Sequence, residues 1–314
     1  MNDLLQSIRA FQESRVLLTA LELDLLPAVG AGAGAAEVAG RIGADPRATE
    51  MLLNALTALG VLVKRDGRFQ CTGEAAALGA ARDGLMHSVH LWESWSTLTA
   101  CVKTGTAVHA PGVEGHAEAW TAAFIRAMQA RAQGSAPQLV ANLGAAGVRR
   151  LLDVGGGPGT YAIAFAQANP ELRAEILDLA PVIPMAQANI DQAGLAGRVQ
   201  ARAGDLRRDD FGRGYDLILA SAICHMLDEA ENQDLIRRCG QALAPGGRLA
   251  ICEFILDPDR AGPPRPALFA LNMLVGTRGG NSYTEADYRR WLEAAGFREC
   301  RRPDPAGDLL IGIL

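Results

Sequence analysis

No run of about 18 apolar residues occurs in the 314-residue chain, so the sequence offers no membrane-spanning helix. Basic residues are not in excess. The net charge is −5 and the pI about 5.6, which leaves out the positive footprint a nucleic-acid binder needs to displace counterions from phosphates. The six cysteines form no Cys-x-x-Cys pair and no histidine cluster has zinc spacing, so no metal site is expected. The N-terminus lacks a basic segment followed by an apolar one, and the reading is cytoplasmic, with no membrane partner. What is present is 49% hydrophobic and 21% charged residues, a globular balance, in a chain long enough for one ordinary domain and a substantial second one.

Residues 4–29 read as helix from apolar positions at Leu4, Ile8, Phe11, Val16, Leu17 and Leu21, with a compact turn at Leu25-Leu26-Pro27. Asp45-Pro46 opens a further helix, with Asp45 as cap and Pro46 at its first position, and Gly60 ends it. A hairpin follows, Val61-Leu62-Val63 and Phe69-Gln70-Cys71-Thr72 about an Asp66-Gly67 turn. Helices then a hairpin is the order of a winged helix, a unit that often binds DNA. The net charge of residues 1–100, −3, argues against that use. Arg47–Leu59, where a recognition helix would lie, has Arg47 as its one base. Met51, Leu52, Leu53, Leu56 and Leu59 make it instead a surface to be buried against another protein, its own copy. Residues 84–146 read as helical apart from a loop at 105–115, with Trp92, Trp95, Trp120, Phe124 and Met128 on apolar stripes.

From Arg149 strands and helices alternate. Strands are expected near 150–154, 174–178, 198–203, 214–220, 247–252, 297–302 and 308–313, with helices between the first six. That order implies an α/β domain with a doubly wound, mostly parallel sheet. The connection Pro303–Gly307 is too short for a parallel crossover, so the last two strands form an antiparallel hairpin at the sheet edge.

The first of these strands runs into Gly155-Gly156-Gly157-Pro158-Gly159 and a helix from Thr160, where bare backbone can meet a ligand. Gly157-x-Gly159-x-x-Ala162 with Asp178 also satisfies a loose dinucleotide fingerprint, so an NAD-dependent oxidoreductase stands as the alternative. Three carboxylates favour S-adenosylmethionine. Asp153 before the glycines would repel a pyrophosphate and suits a sulfonium and an ammonium. Asp178, ending the second strand, can accept from ribose hydroxyls, and Asp205 can accept from an adenine amino group while Leu206 packs on the ring.

These residues, with Leu177-Asp178-Leu179, Gly204-Asp205, Ser221-Ala-Ile-Cys-His225, Leu243–Arg248, Cys252-Glu253, Met273-Leu274, Gly279-Gly280 and Tyr283-Thr284-Glu285, resemble the small-molecule O-methyltransferases. That family includes plant caffeic acid and flavonoid enzymes and bacterial natural-product enzymes of secondary metabolism. The resemblance covers nearly the whole chain. It implies a winged-helix dimerisation domain over 1–83, a helical linker and substrate-lid region over 84–146, and an S-adenosylmethionine-binding domain over 147–314. It further implies a homodimer acting on a hydroxyl of a small aromatic or polycyclic acceptor, with carbon or nitrogen methylation as variants.

In the family the histidine after the fourth strand is the general base, and His225 matches it; an imidazole titrates in the range needed to deprotonate a phenol. Glu253 matches a glutamate that flanks this histidine. Asp153, Gly155, Gly157, Gly159, Asp178, Asp205, Leu206 and Ser221 match the cofactor site, and Phe124, Met128 and Met273 the acceptor pocket. Two departures stand out. Met226-Leu227 replaces the Asp-Trp of the plant enzymes, and Ser282 stands where a second flanking glutamate is found. The catalytic cluster is thinner, which suits a more acidic acceptor or greater reliance on positioning.

Overall fold

Three helices carry the start of the chain, α1 (Asn2–Arg9), α2 (Phe11–Glu22) and α3 (Leu25–Val29), and the expected turn at Leu25-Leu26-Pro27 is the start of the third. The second break falls at Asp24, whose left-handed backbone (φ 48°) stops the helix; aspartate is one of the few residues that tolerate this conformation. Nothing in the sequence marks the first break, at Ala10. The structure is a computed structural model and describes residues 2–108 and 118–314. It divides into two units, Met1–Trp92 and Glu93–Leu314.

In the first unit a two-residue strand β1 (Ala33–Gly34) leads to α4 (Ala35–Ile42) and α5 (Pro46–Ala58). Asp45 caps α5 as expected, its Oδ1 accepting the Ala48 N–H at 2.8 Å, with Pro46 at the first helical position. The hairpin is β2 (Leu62–Arg65) and β3 (Arg68–Cys71), and Asp66 and Gly67 both take the left-handed conformation its tight turn requires. The reading of α5 as an external surface needs correcting. Leu53 and Leu56 are fully buried in this unit's own core with Leu25, Val38, Leu62 and Phe69, and only Met51 and Leu59 of the five apolar residues are exposed. Helices α6 (Gly73–Ala80) and α7 (Arg82–Ser96) follow, and the division between the units falls inside α7.

The second unit continues through α8 (Leu98–Thr104) and the 26-residue α9 (Glu118–Leu143). The loop expected over 105–115 lies partly outside the described residues. A seven-stranded sheet then forms from β4 (Arg150–Val154), β5 (Arg173–Asp178), β6 (Val199–Ala203), β7 (Tyr215–Ser221) and β8 (Leu243–Cys252). With them pair β11 (Glu299–Arg301) and β12 (Leu309–Ile313), in the order β11-β12-β8-β7-β4-β5-β6. The five strands from β4 to β8 are mutually parallel, and β12 runs against both neighbours, the reversed strand expected from the short 303–307 connection. A short parallel pair, β9 (Ile255–Leu256) with β10 (Tyr283–Thr284), lies outside this sheet.

Helices α10 (Thr160–Ala168), α11 (Ile183–Gln192), α12 (Glu229–Ala242), α13 (Pro264–Gly276) and α14 (Glu285–Ala294) complete the unit. One expected helix is absent. Between β6 and β7 the chain runs through turns held by its own aspartates: Asp205 accepts from Arg207 N–H, Asp209 from Asp205 N–H and Asp210 from Gly212 N–H. Such local side-chain bonds compete with helix formation. Both sheet faces are covered, one by a core containing Phe211, Tyr288 and Trp291, the other by one containing Phe165 and Ile190. After β6 the chain crosses back to β7 on the far side of β4, so strand order reverses between β4 and β7. A crevice at the carboxyl ends of the strands is the expected ligand site of such a sheet.

Candidate active site

At the end of β4, Gly155 turns with φ 65° and donates its N–H to Leu177 O at 2.7 Å, tying the turn to β5. The glycines are sterically required. A Cβ at Gly155 would stand 2.2 Å from Ile223 Cδ1, at Gly156 2.6 Å from Asp153 Cγ, and at Gly159 2.5 Å from Ile176 Cδ1. Gly159 caps α10 with a left-handed backbone (φ 76°).

Asp153 is almost fully buried, and neither carboxylate oxygen has a hydrogen-bond partner. Burial above all, joined by the nearby Asp178 charge, pushes its pKa up to about 7 against a weaker pull from the Ala162 N–H. A buried acceptor with no donor fits a ligand that brings positive charge or N–H groups to it. Asp178 is also raised by burial, opposed by two backbone bonds: it accepts from Gly157 N–H and Leu179 N–H, both at 2.7 Å. A carboxylate has about four acceptor sites, so two remain for further donors such as vicinal hydroxyls. Asp205 accepts from Arg207 N–H at 2.9 Å, with Arg208 Nε at 3.4 Å, and keeps part of its acceptor capacity beside Leu206. The residues thus fit a nucleoside that also carries a cation, which is the chemistry of S-adenosylmethionine.

Beyond β7, Ala222 holds a left-handed backbone (φ 57°) rare for alanine, and its N–H bonds Cys252 O at 3.0 Å. This bend leads into a 3₁₀ turn, Cys224–Met226. There His225 Nδ1 lies 2.7 Å from Glu253 Oε2, while Glu253 Oε1 accepts from Ile223 N–H at 2.7 Å. Both side chains are buried, and His225 Nε2 makes no hydrogen bond among the described residues. The ring of Phe269 meets the His225 ring edge-on at 4.8 Å. Gly279-Gly280 leads under the same turn: Asn281 N–H donates to His225 O at 2.9 Å, and a Cβ on Gly280 would stand 2.4 Å from that oxygen. Ser282 is buried with its hydroxyl unpartnered.

A cavity of about 610 Å³ joins these parts, within the usual range for a small-molecule site. Asp153, Gly155, Gly157, Asp178, Asp205, Leu206, Ser221 and Glu253 line it, and so do Phe124 and Met128 from α9. Three expected residues are not on its wall. Gly159 acts through the backbone it caps, His225 lies between Ile223 and Met226, which do line the cavity, and bonds Glu253, and Met273 is buried within α13. Gly156 belongs to the glycine run read from the sequence but was not matched to the cofactor site, and sequence reasoning passed over the arginines Arg131 and Arg265, which belong to no motif and meet only in the fold.

Residues 95–298 match the family model described as the O-methyltransferase domain, and residues 5–79 that of the O-methyltransferase dimerisation domain. A 3-hydroxy-5-methyl-1-naphthoate 3-O-methyltransferase of Streptomyces sahachiroi is 36% identical, over 92% of this chain and 87% of that protein. The tetracenomycin polyketide synthesis 8-O-methyl transferase TcmO of Streptomyces glaucescens is 32% identical over 99% and 95%. Among solved structures, PigF with SAH superposes with a TM-score of 0.89 at 26% identity, over 100% of this chain and 98% of that one.

Proposed function

The chain belongs to the O-methyltransferase family, and from that premise we propose that it methylates a hydroxyl of a small aromatic or polyketide-sized acceptor with S-adenosylmethionine as donor. The observation that carries the reading is the juxtaposition, on one cavity, of the unpartnered Asp153 carboxylate and the Glu253 carboxylate bonded to His225.

When bound, S-adenosylmethionine supplies a methyl group activated by its sulfonium. Asp153 would balance the positive charge of the donor, Asp178 would accept from the ribose, Asp205 and Leu206 would border the adenine, and Ser221, at the end of β7, would line the same donor site. Gly155 and Gly157, with Gly159 shaping the turn, leave room for the donor against bare backbone. The Nδ1–Glu253 bond fixes the neutral tautomer of His225 with its proton on Nδ1, leaving the Nε2 lone pair free to take the acceptor's hydroxyl proton. Glu253 stabilises the imidazolium so formed, and its second oxygen is held by Ile223 N–H, so the pair does not reorient during the transfer. Phe124 and Met128 supply an apolar wall on which the acceptor ring lies. Met273, buried in α13, would act on the acceptor pocket only through the residues packed around it.

Two copies form a homodimer through residues 1–83, the helical stretch 84–146 borders the acceptor, 147–314 holds the donor, and the enzyme acts in the cytoplasm. The test is incubation of the purified protein with isotope-labelled S-adenosylmethionine and a panel of phenols and hydroxynaphthalenes, with NMR of the products. Label on oxygen is the expected outcome; label on carbon or nitrogen would move the reading to those variants. No transfer to any acceptor would overturn it.

A further inference from the structure

The face of α9 toward the cavity changes character along its length. Phe124, Ile125 and Met128 are apolar, and one helical turn further the same face presents Arg131. Three cations line the cavity: Arg131, Arg207 and Arg265. Arg207 is tied to Glu231 at 2.9 Å. Arg131 and Arg265 make no ion pair and no side-chain hydrogen bond among the described residues. Asp304 and Asp308 also border the cavity, yet neither pairs with them, and Asp304 Oδ1 is engaged by Ala306 N–H.

The two arginines are nonetheless brought together. Their guanidinium carbons lie 4.5 and 4.6 Å from the centroid of one ring, Phe254, which is buried and follows Glu253 directly in the chain. Phe254 packs on Phe269 at 4.4 Å, and Phe269 on His225 at 4.8 Å. Two like charges gathered on one aromatic platform repel each other, and the quadrupole of the ring offsets only part of that. Both line the cavity without a side-chain partner among the described residues, and each carries the planar fork of donors that matches a carboxylate.

We infer that the acceptor is an aromatic acid, whose carboxylate is held by Arg131 and Arg265 while its hydroxyl is presented toward His225. This rests on the methyl-transfer reading above. Arg131 and Arg265 are then the specificity-determining residues, and the apolar part of the α9 face receives the ring.

The test compares hydroxynaphthoic acids with the matching carboxamides and hydroxynaphthalene sulfonates as acceptors for the full-length protein. For the best regioisomer, kcat/KM for the acid exceeds that for the amide by about tenfold or more, as expected for a partly solvated charge pair. In the Arg131→Gln/Arg265→Gln double variant that ratio falls to near one, and Arg131→Lys/Arg265→Lys recovers part of it. Fluorescence titration of the acid in the presence of S-adenosylhomocysteine shows the same loss in Kd without turnover. Methylation of acid and amide alike would overturn the aromatic-acid assignment and leave methyl transfer standing. A sulfonate preferred over the acid would overturn the carboxylate. Failure to methylate any phenol, with the titration still selective for the acid, would overturn the methyl-transfer reading alone.

Discussion

Burying an ionised carboxylate with no donor against it disfavours the charged form, and Asp153 carries that penalty at the end of β4. Its folded pKa, about 7, is raised above the ordinary aspartate value of 3.8. The stability tied to its protonated form is therefore present below the unfolded value and is lost as pH rises through about 7. Two consequences follow at pH 8. Asp153→Asn raises the melting temperature of the ligand-free protein by about 2 °C or more, measured by calorimetry, because the buried charge is gone. The same variant weakens S-adenosylhomocysteine binding by about tenfold or more, because the ligand's cation loses its counter-charge. For the unaltered protein, affinity rises with pH up to about 7 and then levels. Asp153, Asp178 and Glu253 were legible in the sequence because each ends a recognisable strand, and strand ends converge on one edge of a parallel sheet. Arg131 and Arg265 were not legible, since only the packing of α9 and the start of α13 around Phe254 brings them together.

At the level of elements, the turn between β4 and α10 does the positioning. Gly156→Ala places a methyl group 2.6 Å from Asp153 Cγ, so either the turn or the carboxylate must move. Overpacking of this kind costs about 1–3 kcal/mol, and S-adenosylhomocysteine affinity falls by about tenfold or more, read by isothermal titration. The strands of the sheet and the β2–β3 hairpin could be read from the sequence because burial on both faces writes continuous apolar runs, and Asp66-Gly67 demands its turn. The connection from β6 to β7 could not. Its aspartates, suited equally to a helix start and to a turn, bond their own backbone neighbours, and the choice between the two rests on local geometry. The placement of α5 failed for a different reason: apolar spacing announces a buried face but not whether that face meets the same chain or another.

For the whole molecule, Met51 on α5 is one of several exposed apolar side chains among the described residues, and the densest group lies at the start of the chain. Leu4, Leu5, Ile8 and Phe11 are each more than half exposed, a stripe along α1 and the start of α2 that, from Leu5 on, falls in the segment matching the dimerisation domain. Light scattering is expected to give twice the 33.1 kDa chain mass, and Ile8→Glu/Phe11→Glu to shift the mass toward one chain. The account of the site rests on His225 taking a proton while Glu253 holds it in place. The measurement closest to that claim is kcat/KM for methyl transfer by His225→Ala to the best phenolic acceptor, with S-adenosylhomocysteine affinity determined alongside. A loss of about 10²–10⁴-fold in transfer with ligand affinity unchanged is the predicted result; transfer at the rate of the unaltered protein would contradict it.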